Sequence, residues 1–305
     1  MRPLTLTLLP IIGHLATMAS ATPYQARIHE TGSYFPAPAD NGPWLMSYYV
    51  YPSSSSSHAD LVSIQTANTN TDTVQVLASR YPYSSLSSQR TNTVFAADSN
   101  KGVWTLADYD GDNVLDLIYV QNRETASGKV EVSVASGASV FQSLVLDRAV
   151  TAFDVAVNGH WQVLDVDGDG SLDLVYIQNS GTASNMVEVH IASAPFSTIT
   201  QKTSTPFPIA ADGTWQMANY DNDGIADLVY IQNINTASGY VEISIASGAS
   251  EYQSIVQNVA SAYSTENNGV WQMIDWDNDG VLDLVYIKTV ETSGSVEVHI
   301  GWGRD

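Results

Sequence analysis

Four short segments of this chain place acidic residues at a spacing that can bind a metal ion. Each segment begins four residues after a tryptophan and carries oxygen-bearing side chains at its positions 1, 3, 5 and 9. Oxygens at such alternating positions wrap a hard cation, and Ca²⁺ takes about six to eight of them. The predicted side-chain ligands are Asp108, Asp110, Asp112 and Asp116; Asp165, Asp167, Asp169 and Asp173; Asn219, Asp221, Asp223 and Asp227; and Asp275, Asp277, Asp279 and Asp283.

Other positions of these segments agree with calcium loops. Position 6 is glycine in three segments and Asn113 in the fourth, as expected where the chain turns with positive φ. Position 12, which is a bidentate Glu in an EF-hand, is tyrosine in all four, so each loop is expected between two strands. Position 7 is expected to offer a backbone carbonyl from Val114, Ser171, Ile225 or Val281.

Solvated, turn-forming aspartates are the alternative interpretation of these segments. Three or four carboxylates within nine residues repel one another without a cation, and the same spacing occurs four times. Mg²⁺ is the weaker candidate, because it prefers a tight octahedron with retained water. We therefore expect about four Ca²⁺ sites with a structural role.

The four loops lie within a longer repeat. Each copy runs from tryptophan through the loop to an Asp-Leu-hydrophobic-Tyr segment, a Thr/Ser/Gly/Asn-rich turn and a Val-Glu segment. A fifth, eroded copy has a serine run, Ser53 to Ser57, in place of most of the acidic loop, and we expect no metal there. The copies start near Trp44, Trp104, Trp161, Trp215 and Trp271.

Each copy contains about four short runs rich in Val, Ile, Tyr and Leu, without helical periodicity. Four strands per repeat predict an all-β, single five-bladed β-propeller of four-stranded blades, covering residues 22–305. The last copy lacks an outer strand, and Tyr24 to Ile28 resembles the missing piece, so the N-terminal strand is expected to complete the last blade. A β-sandwich or an open β-solenoid is the alternative architecture.

The termini and composition indicate where the protein acts. Residues 1–21 combine Arg2, an apolar run and an Ala19-Ser20-Ala21 site, which predicts a signal peptide and a secreted, extracellular protein without membrane insertion. The net charge of −21 disfavours nucleic acid as a partner. The chain has no cysteine, which excludes disulfides and thiolate metal sites.

The Asp-x-Asp-x-Asp-Gly-x-x-Asp-Leu loops within four-strand units resemble the FG-GAP/VCBS repeats of integrin α-subunit propellers and of secreted fungal propeller lectins. The resemblance covers residues 101–300 well and the first copy weakly. It implies calcium in the blade loops and, through the lectins, sugar binding at loops or between blades. Those lectins often have six or seven blades, so their glycan-binding residues are not carried over.

Repetition favours a multivalent carbohydrate-binding protein, because a surface offered several times gives avidity. Trp104, Trp161, Trp215 and Trp271 are the candidate sugar-stacking residues, although core packing is the favoured interpretation of such tryptophans. No catalytic residue is assigned.

Two alternative functions stay open at this point. One is a glycoside hydrolase with a carboxylate pair in the central pocket. The repeated Glu131, Glu188, Glu242 and Glu297 are poor candidates for that pair, because an acid and a base should break the repeat. The other is a protein-binding adhesion module with the Ser53 to His58 insertion as a contact.

Overall fold

The computed structural model describes residues 22–37, 39, 42–49, 57–86, 91–97 and 101–304. The predicted signal peptide and most of the serine-rich insertion lie outside these residues. The first described strand is β1 (Arg27–Pro36), and it belongs to the last sheet in the chain. Every sheet is antiparallel and four-stranded.

Each repeat of the sequence forms one sheet. Blade 1 contains β2 (Trp44–Ser47), β3 (Asp60–Gln65), β4 (Thr73–Ser79) and β5 (Thr91–Ala96). Blade 2 contains β6 (Gly102–Ala107), β7 (Asp116–Gln121), β8 (Lys129–Ala135) and β9 (Leu144–Asp154). Blade 3 contains β10 (Gly159–Leu164), β11 (Asp173–Gln178), β12 (Met186–Ser193) and β13 (Gln201–Pro208). Blade 4 contains β14 (Gly213–Ala218), β15 (Asp227–Gln232), β16 (Tyr240–Ala246), a 3₁₀ turn (Gly248–Ser250) and β17 (Ile255–Ser264). Blade 5 contains β18 (Gly269–Ile274), β19 (Asp283–Lys288), β20 (Ser295–Gly301) and β1.

The prediction that the N-terminal strand completes the last blade is confirmed. Strand β1 pairs antiparallel with β20, from Arg27 opposite Gly301 to Pro36 opposite Ser295. The strand begins later than predicted, because Tyr24 lies in a turn before it. This pairing covers the sheet edge that an open last blade would expose.

Tyr24 belongs to a repeated feature that the sequence analysis did not identify. In every blade a fully buried aromatic residue precedes the outer strand with φ between about 62° and 67°. Such a conformation is rare for bulky side chains. The ring therefore fixes the turn into the outer strand. The five residues are Tyr24, Tyr83, Phe141, Phe196 and Tyr252.

The hydrophobic core lies between blades. Five clusters of buried residues fill the junctions between blades 1 and 2, 2 and 3, 3 and 4, 4 and 5, and 5 and 1. Because the last of these joins the ends of the chain, the blades form a closed ring. The five-bladed propeller predicted from the repeat is confirmed, and the described part of the chain contains no helix long and apolar enough to span a membrane.

Candidate functional site

The acidic loops connect the first and second strands of blades 2 to 5. In three of them, carboxylate oxygens from three residues lie within 4.8 Å of one another, so these groups could hold a metal ion. The blade 4 loop has Asn219 at position 1 and therefore offers an amide oxygen there. The three groups are Asp108, Asp110 and Asp116; Asp165, Asp167 and Asp173; and Asp275, Asp277 and Asp279.

The backbone of each loop holds the side-chain oxygens in place. Position 6 has positive φ in all four loops, with Gly170 at 86° and Asn113 at 64°. Position 4, which the sequence analysis had not singled out, also has positive φ. The amide of position 7 donates to the carboxylate of position 5, as from Val114 to Asp112 at 2.8 Å. The same contact is made by Ser171, Ile225 and Val281.

The aspartate at position 9 is buried beneath each loop. Both carboxylate oxygens of Asp116 accept backbone hydrogen bonds, from Tyr109 at 2.8 Å and Gly137 at 2.7 Å. Burial raises the pKa of this carboxyl, and the negative charges of the other loop aspartates raise it further. In blade 5 the same causes raise the pKa of Asp283 to about 7. A bound cation would relieve this repulsion.

Two loop oxygens lack a hydrogen-bond partner although they are buried. They are Oδ1 of Asn219, at position 1 of the blade 4 loop, and Oδ1 of Asp277, at position 3 of the blade 5 loop. A buried oxygen without a partner is destabilising unless something occupies its lone pairs. Both are oxygen donors of the kind that Ca²⁺ prefers. The donor set therefore fits a hard divalent cation.

Loops of neighbouring blades contact one another at one end of the ring. The amide of Ala226 in blade 4 donates to the carbonyl of Val166 in blade 3 at 2.8 Å. Asn222 Nδ2 donates to the carbonyl of Gly280 in blade 5 at 2.5 Å. The loops of blades 3, 4 and 5 thus form a continuous arc.

The repeated tryptophans are core residues. Trp104, Trp161, Trp215 and Trp271 are between 2% and 5% exposed. Each indole stacks on a tyrosine of the second strand, as Trp215 does on Tyr230 with ring centroids 4.1 Å apart. A buried indole in such a stack presents no face to a sugar. The structure therefore favours the core interpretation of these residues over sugar stacking.

The inner strands contribute amides to the centre of the ring, not carboxylates. None of β2, β6, β10, β14 and β18 contains Asp or Glu. Gln162, Gln216 and Gln272 each bond the backbone of the next inner strand. Carboxylates able to do chemistry must therefore come from other elements.

The repeated glutamates of the third strand brace a turn. Glu131 Oε1 accepts from the amide and hydroxyl of Ser127, at 3.3 Å and 2.7 Å. Glu188, Glu242 and Glu297 each accept a hydrogen bond from the matching serine of their own turns. This shared contact explains why the residue repeats.

Blade 5 adds titratable groups around its glutamate. A cavity of about 120 Å³ lies where the sheet of blade 5 meets the end of β17, and we call it the blade-5 groove. The charged and histidine side chains that line it are Arg27, Glu30, Glu266, Lys288, Glu297 and His299. Tyr263 and Tyr286 also line it.

His299 connects two carboxylates of the groove. Its Nδ1 lies 2.9 Å from Glu30 Oε1, and its Nε2 lies 3.3 Å from Glu297 Oε2. The second contact is not aligned as a hydrogen bond, and this Nε2 is buried without a hydrogen-bond partner. His299 and Glu297 are nearly buried, whereas the Glu30 side chain is 59% exposed.

The third carboxylate has its own partners. Glu266 Oε2 accepts from the Tyr286 hydroxyl at 3.0 Å and lies 3.3 Å from Lys288 Nζ. Burial raises the pKa of Tyr286, and the hydrogen bond to Glu266 adds to the increase. For Glu297, burial opposes ionisation, but hydrogen bonds from Ser293 and the proximity of His299 leave its pKa below the ordinary value. Glu297 is therefore ionised at neutral pH.

Lys288, Tyr263 and Glu266 break the repeat, and these departures are the signal by which the sequence could have revealed the groove. Glu297 itself recurs in blades 2 to 5, and His299 recurs as His190 in blade 3. Lys288 ends the second strand of blade 5, whereas the other blades have glutamine there: Gln65, Gln121, Gln178 and Gln232. Tyr263 stands in the place of a phenylalanine, namely Phe35, Phe95, Phe153 or Phe207. Glu266 corresponds to alanine in blades 3 and 4, at Ala156 and Ala210.

The ring and its loops define a five-bladed β-propeller with candidate cation sites. No family model and no curated protein matches the sequence. The fold is similar to solved structures of glycoside hydrolases. A β-xylosidase/α-arabinofuranosidase of family GH43 from a compost metagenome, solved with xylotriose in a calcium-free form, has a TM-score of 0.53 at 9% identity, covering 89% of this chain and 94% of that one.

Two further structures share the ring. The catalytic domain of a GH62 α-L-arabinofuranosidase from Coprinopsis cinerea has a TM-score of 0.51 at 11% identity, covering 91% of this chain and 98% of that one. An endo-arabinase from Bacteroides thetaiotaomicron has a TM-score of 0.50 at 12% identity, covering 89% and 97%. At these identities the likeness establishes the fold alone.

The comparison corrects the lectin prediction. The three solved structures named above, which share this five-bladed ring, are glycoside hydrolases and not lectins. The indoles proposed to stack on sugars are buried. The prediction of a multivalent lectin is therefore wrong. Without a matching family model, the FG-GAP/VCBS resemblance stays a prediction.

Proposed function

We propose that this chain is a glycoside hydrolase that acts on neutral plant-type saccharides at the blade-5 groove. The observation that carries the proposal is the position of Glu30 and Glu297 on the two sides of His299. Glycoside hydrolysis by two carboxylates needs one to donate a proton and one to accept it. The similar arabinose- and xylose-releasing enzymes support the choice of saccharide.

Each carboxylate of the pair has a distinct role in this proposal. Glu297, whose pKa is lowered, takes a proton from water as the water oxygen bonds to the anomeric carbon. Glu30, the more exposed carboxyl, must carry a proton in the reactive form of the enzyme, and it gives that proton to the leaving oxygen as the glycosidic bond breaks. Proton exchange with solvent then returns Glu297 to the carboxylate and Glu30 to the acid, so that the protein gains or loses no proton over the cycle.

The third carboxylate positions the substrate. Glu266 is fixed by Lys288 and Tyr286, so its remaining lone pairs can accept hydrogen bonds from sugar hydroxyls. Fixed polar groups of this kind orient a substrate without moving during the reaction. This assignment places the reaction between blades, because the inner strands provide no carboxylate.

The experiment incubates the chain from residue 22 with arabinan and with xylo-oligosaccharides. Released sugars are separated by chromatography, which gives both the products and the rate of their release. We expect Glu297→Gln and Glu30→Gln each to reduce the rate about 100-fold or more. The matched control is Glu242→Gln, because Glu242 has the same serine brace but Ser244 in the place of His299. The proposal would be contradicted if the unaltered protein released no sugar. It would also be contradicted if Glu242→Gln reduced the rate as much as Glu297→Gln and Glu30→Gln do.

We further propose that the four acidic loops bind Ca²⁺ and stabilise a secreted, single-domain protein of residues 22–305, built from FG-GAP/VCBS-type repeats. The unpartnered oxygens of Asn219 and Asp277 support this proposal. Calcium would then hold the ring together, and the side chains of the blade-5 groove would carry the chemistry.

A further inference from the structure

A second cavity lies at the place in blade 1 that corresponds to the blade-5 groove. It has a volume of about 590 Å³ and is bounded by the end of β1 and the sheet of blade 1; we call it the blade-1 groove. Gln65 lines it at the position of Lys288, and Gln75 at the position of Glu297. A cavity of this size is in the range of small-ligand sites, about 300–1,000 Å³.

The lining of the blade-1 groove is polar but carries no charge. No Asp, Glu, Lys, Arg or His is among the described residues that line it. Such a lining offers no ion-pair partner to a charged ligand and therefore favours a neutral one. The polar side chains are Gln65, Asn68, Thr69, Asn70 and Gln75.

Two polar atoms of the lining are buried and lack a hydrogen-bond partner. Gln75 is 2% exposed, and its Nε2 donates to Asn92 Oδ1 at 2.7 Å and to Thr71 Oγ1 at 3.2 Å. These bonds fix the amide and leave Gln75 Oε1 as an unpaired acceptor. Thr69 Oγ1 is also buried without a partner. The threonines at the same turn position of blades 2 and 4, Thr125 and Thr236, are unpartnered as well, so Thr69 follows the repeat. Buried polar groups are normally satisfied, so Gln75 Oε1 points to a ligand that supplies a hydroxyl group.

An exposed aromatic ring completes the groove. Tyr34 is 56% exposed, although its amide is fixed by a 2.7 Å hydrogen bond to the carbonyl of Tyr83. An exposed tyrosine side chain offers an apolar face together with a polar tip. The groove therefore combines amides, unpaired hydrogen-bonding atoms and the Tyr34 side chain. This combination suits a neutral cyclic ligand that carries several hydroxyl groups.

We propose that the blade-1 groove binds a neutral saccharide unit. The choice of ligand rests on the proposed function, whereas the site itself rests on the cavity and its unpaired atoms. The groove occurs in the eroded repeat, and Gln65 and Gln75 distinguish it from the corresponding position in blade 5, where Lys288 and Glu297 stand.

The test is calorimetric titration of the chain from residue 22 with xylotriose and with cellotriose. We expect Tyr34→Ala to weaken binding of at least one trisaccharide by about tenfold, through loss of one aromatic contact. Gln75→Glu, which restores the residue of the other blades and keeps the side-chain shape, should weaken it similarly. Tyr240→Ala is the matched control, since Tyr240 is 47% exposed on another blade.

The outcomes separate this inference from the proposed function. Trisaccharide binding that depends on Tyr34 and Gln75 but persists in Glu297→Gln supports the groove, even if no sugar is released. Binding that is absent, or unchanged in both blade-1 variants, overturns the inference, even if the protein hydrolyses its substrate. Loss of binding in Tyr240→Ala as well would show a general effect on the fold and would also overturn it.

Discussion

Gln272 bonds both backbone groups of Met46 and so joins the last blade to the first. Its Oε1 accepts from the Met46 amide at 2.9 Å, and its Nε2 donates to the Met46 carbonyl at 3.1 Å. Gln162 makes the same pair of bonds to Met217, and Gln216 makes it to Met273. One side-chain amide thus connects inner strands at three junctions of the ring.

Replacing this amide should weaken ring closure. Gln272→Met keeps the length of the side chain but leaves the two backbone groups of Met46 without partners. The free energy of unfolding should fall by about 1–3 kcal/mol. Urea denaturation measures the change, with Thr105→Val at the corresponding position of blade 2 as the control. Equal, small effects of both substitutions would show that the amide does not stabilise the junction.

The stack of Trp215 on Tyr230 predicts that the repeated tryptophans support the fold. Trp215 is 2% exposed and lies in the core between blades 3 and 4. Trp215→Ala should lower the free energy of unfolding by about 3–5 kcal/mol. The exposed Tyr240→Ala should change it by less than about 0.5 kcal/mol. A stable Trp215→Ala protein that has lost only ligand binding would contradict the assignment to the core.

The fold could be predicted from the sequence because each blade repeats the same pattern. The tryptophan, the loop and the Asp-Leu segment occur at nearly constant spacing, so blade number and closure follow from counting. The blade-5 groove could not be found in this way. Glu30 and Glu266 lie outside the repeated motifs, and only the topology brings β1 beside His299.

Occupation of the acidic loops should be visible in both stoichiometry and stability. Asp173→Asn should remove one of about four bound Ca²⁺ ions, whereas Asp60→Asn, in the eroded repeat, should remove none. Each site contributes about 2.7 kcal/mol at a hundredfold excess of calcium over its dissociation constant, so EDTA should lower the melting temperature markedly. Calorimetric titration and thermal denaturation give the two readouts. Equal losses of calcium in the two variants would contradict the assignment.

Asp60 should give the protein a pH-dependent stability of its own. In blade 1, Asp60 stands where the other blades have the last aspartate of the acidic loop. It is 2% exposed, and its Oδ1 has no hydrogen-bond partner among the described residues. Burial raises its pKa from 3.8 to about 7, while the charge of Arg80 opposes the increase. Between these values the folded protein keeps a proton that the unfolded chain releases. The free energy of unfolding therefore falls as pH rises from about 4 to 7, by up to about 1.4 kcal/mol per pH unit.

Asp60→Asn should remove this contribution, because asparagine resembles the protonated carboxyl and does not titrate. Urea denaturation of both proteins in EDTA between about pH 4 and pH 8 isolates the effect, since the loop aspartates titrate alike in the two proteins. The free energy of unfolding of Asp60→Asn, minus that of the unaltered protein, should increase up to about pH 7 and then stay constant. Parallel curves across this range would mean that Asp60 is ionised in the folded protein and that Arg80 outweighs its burial.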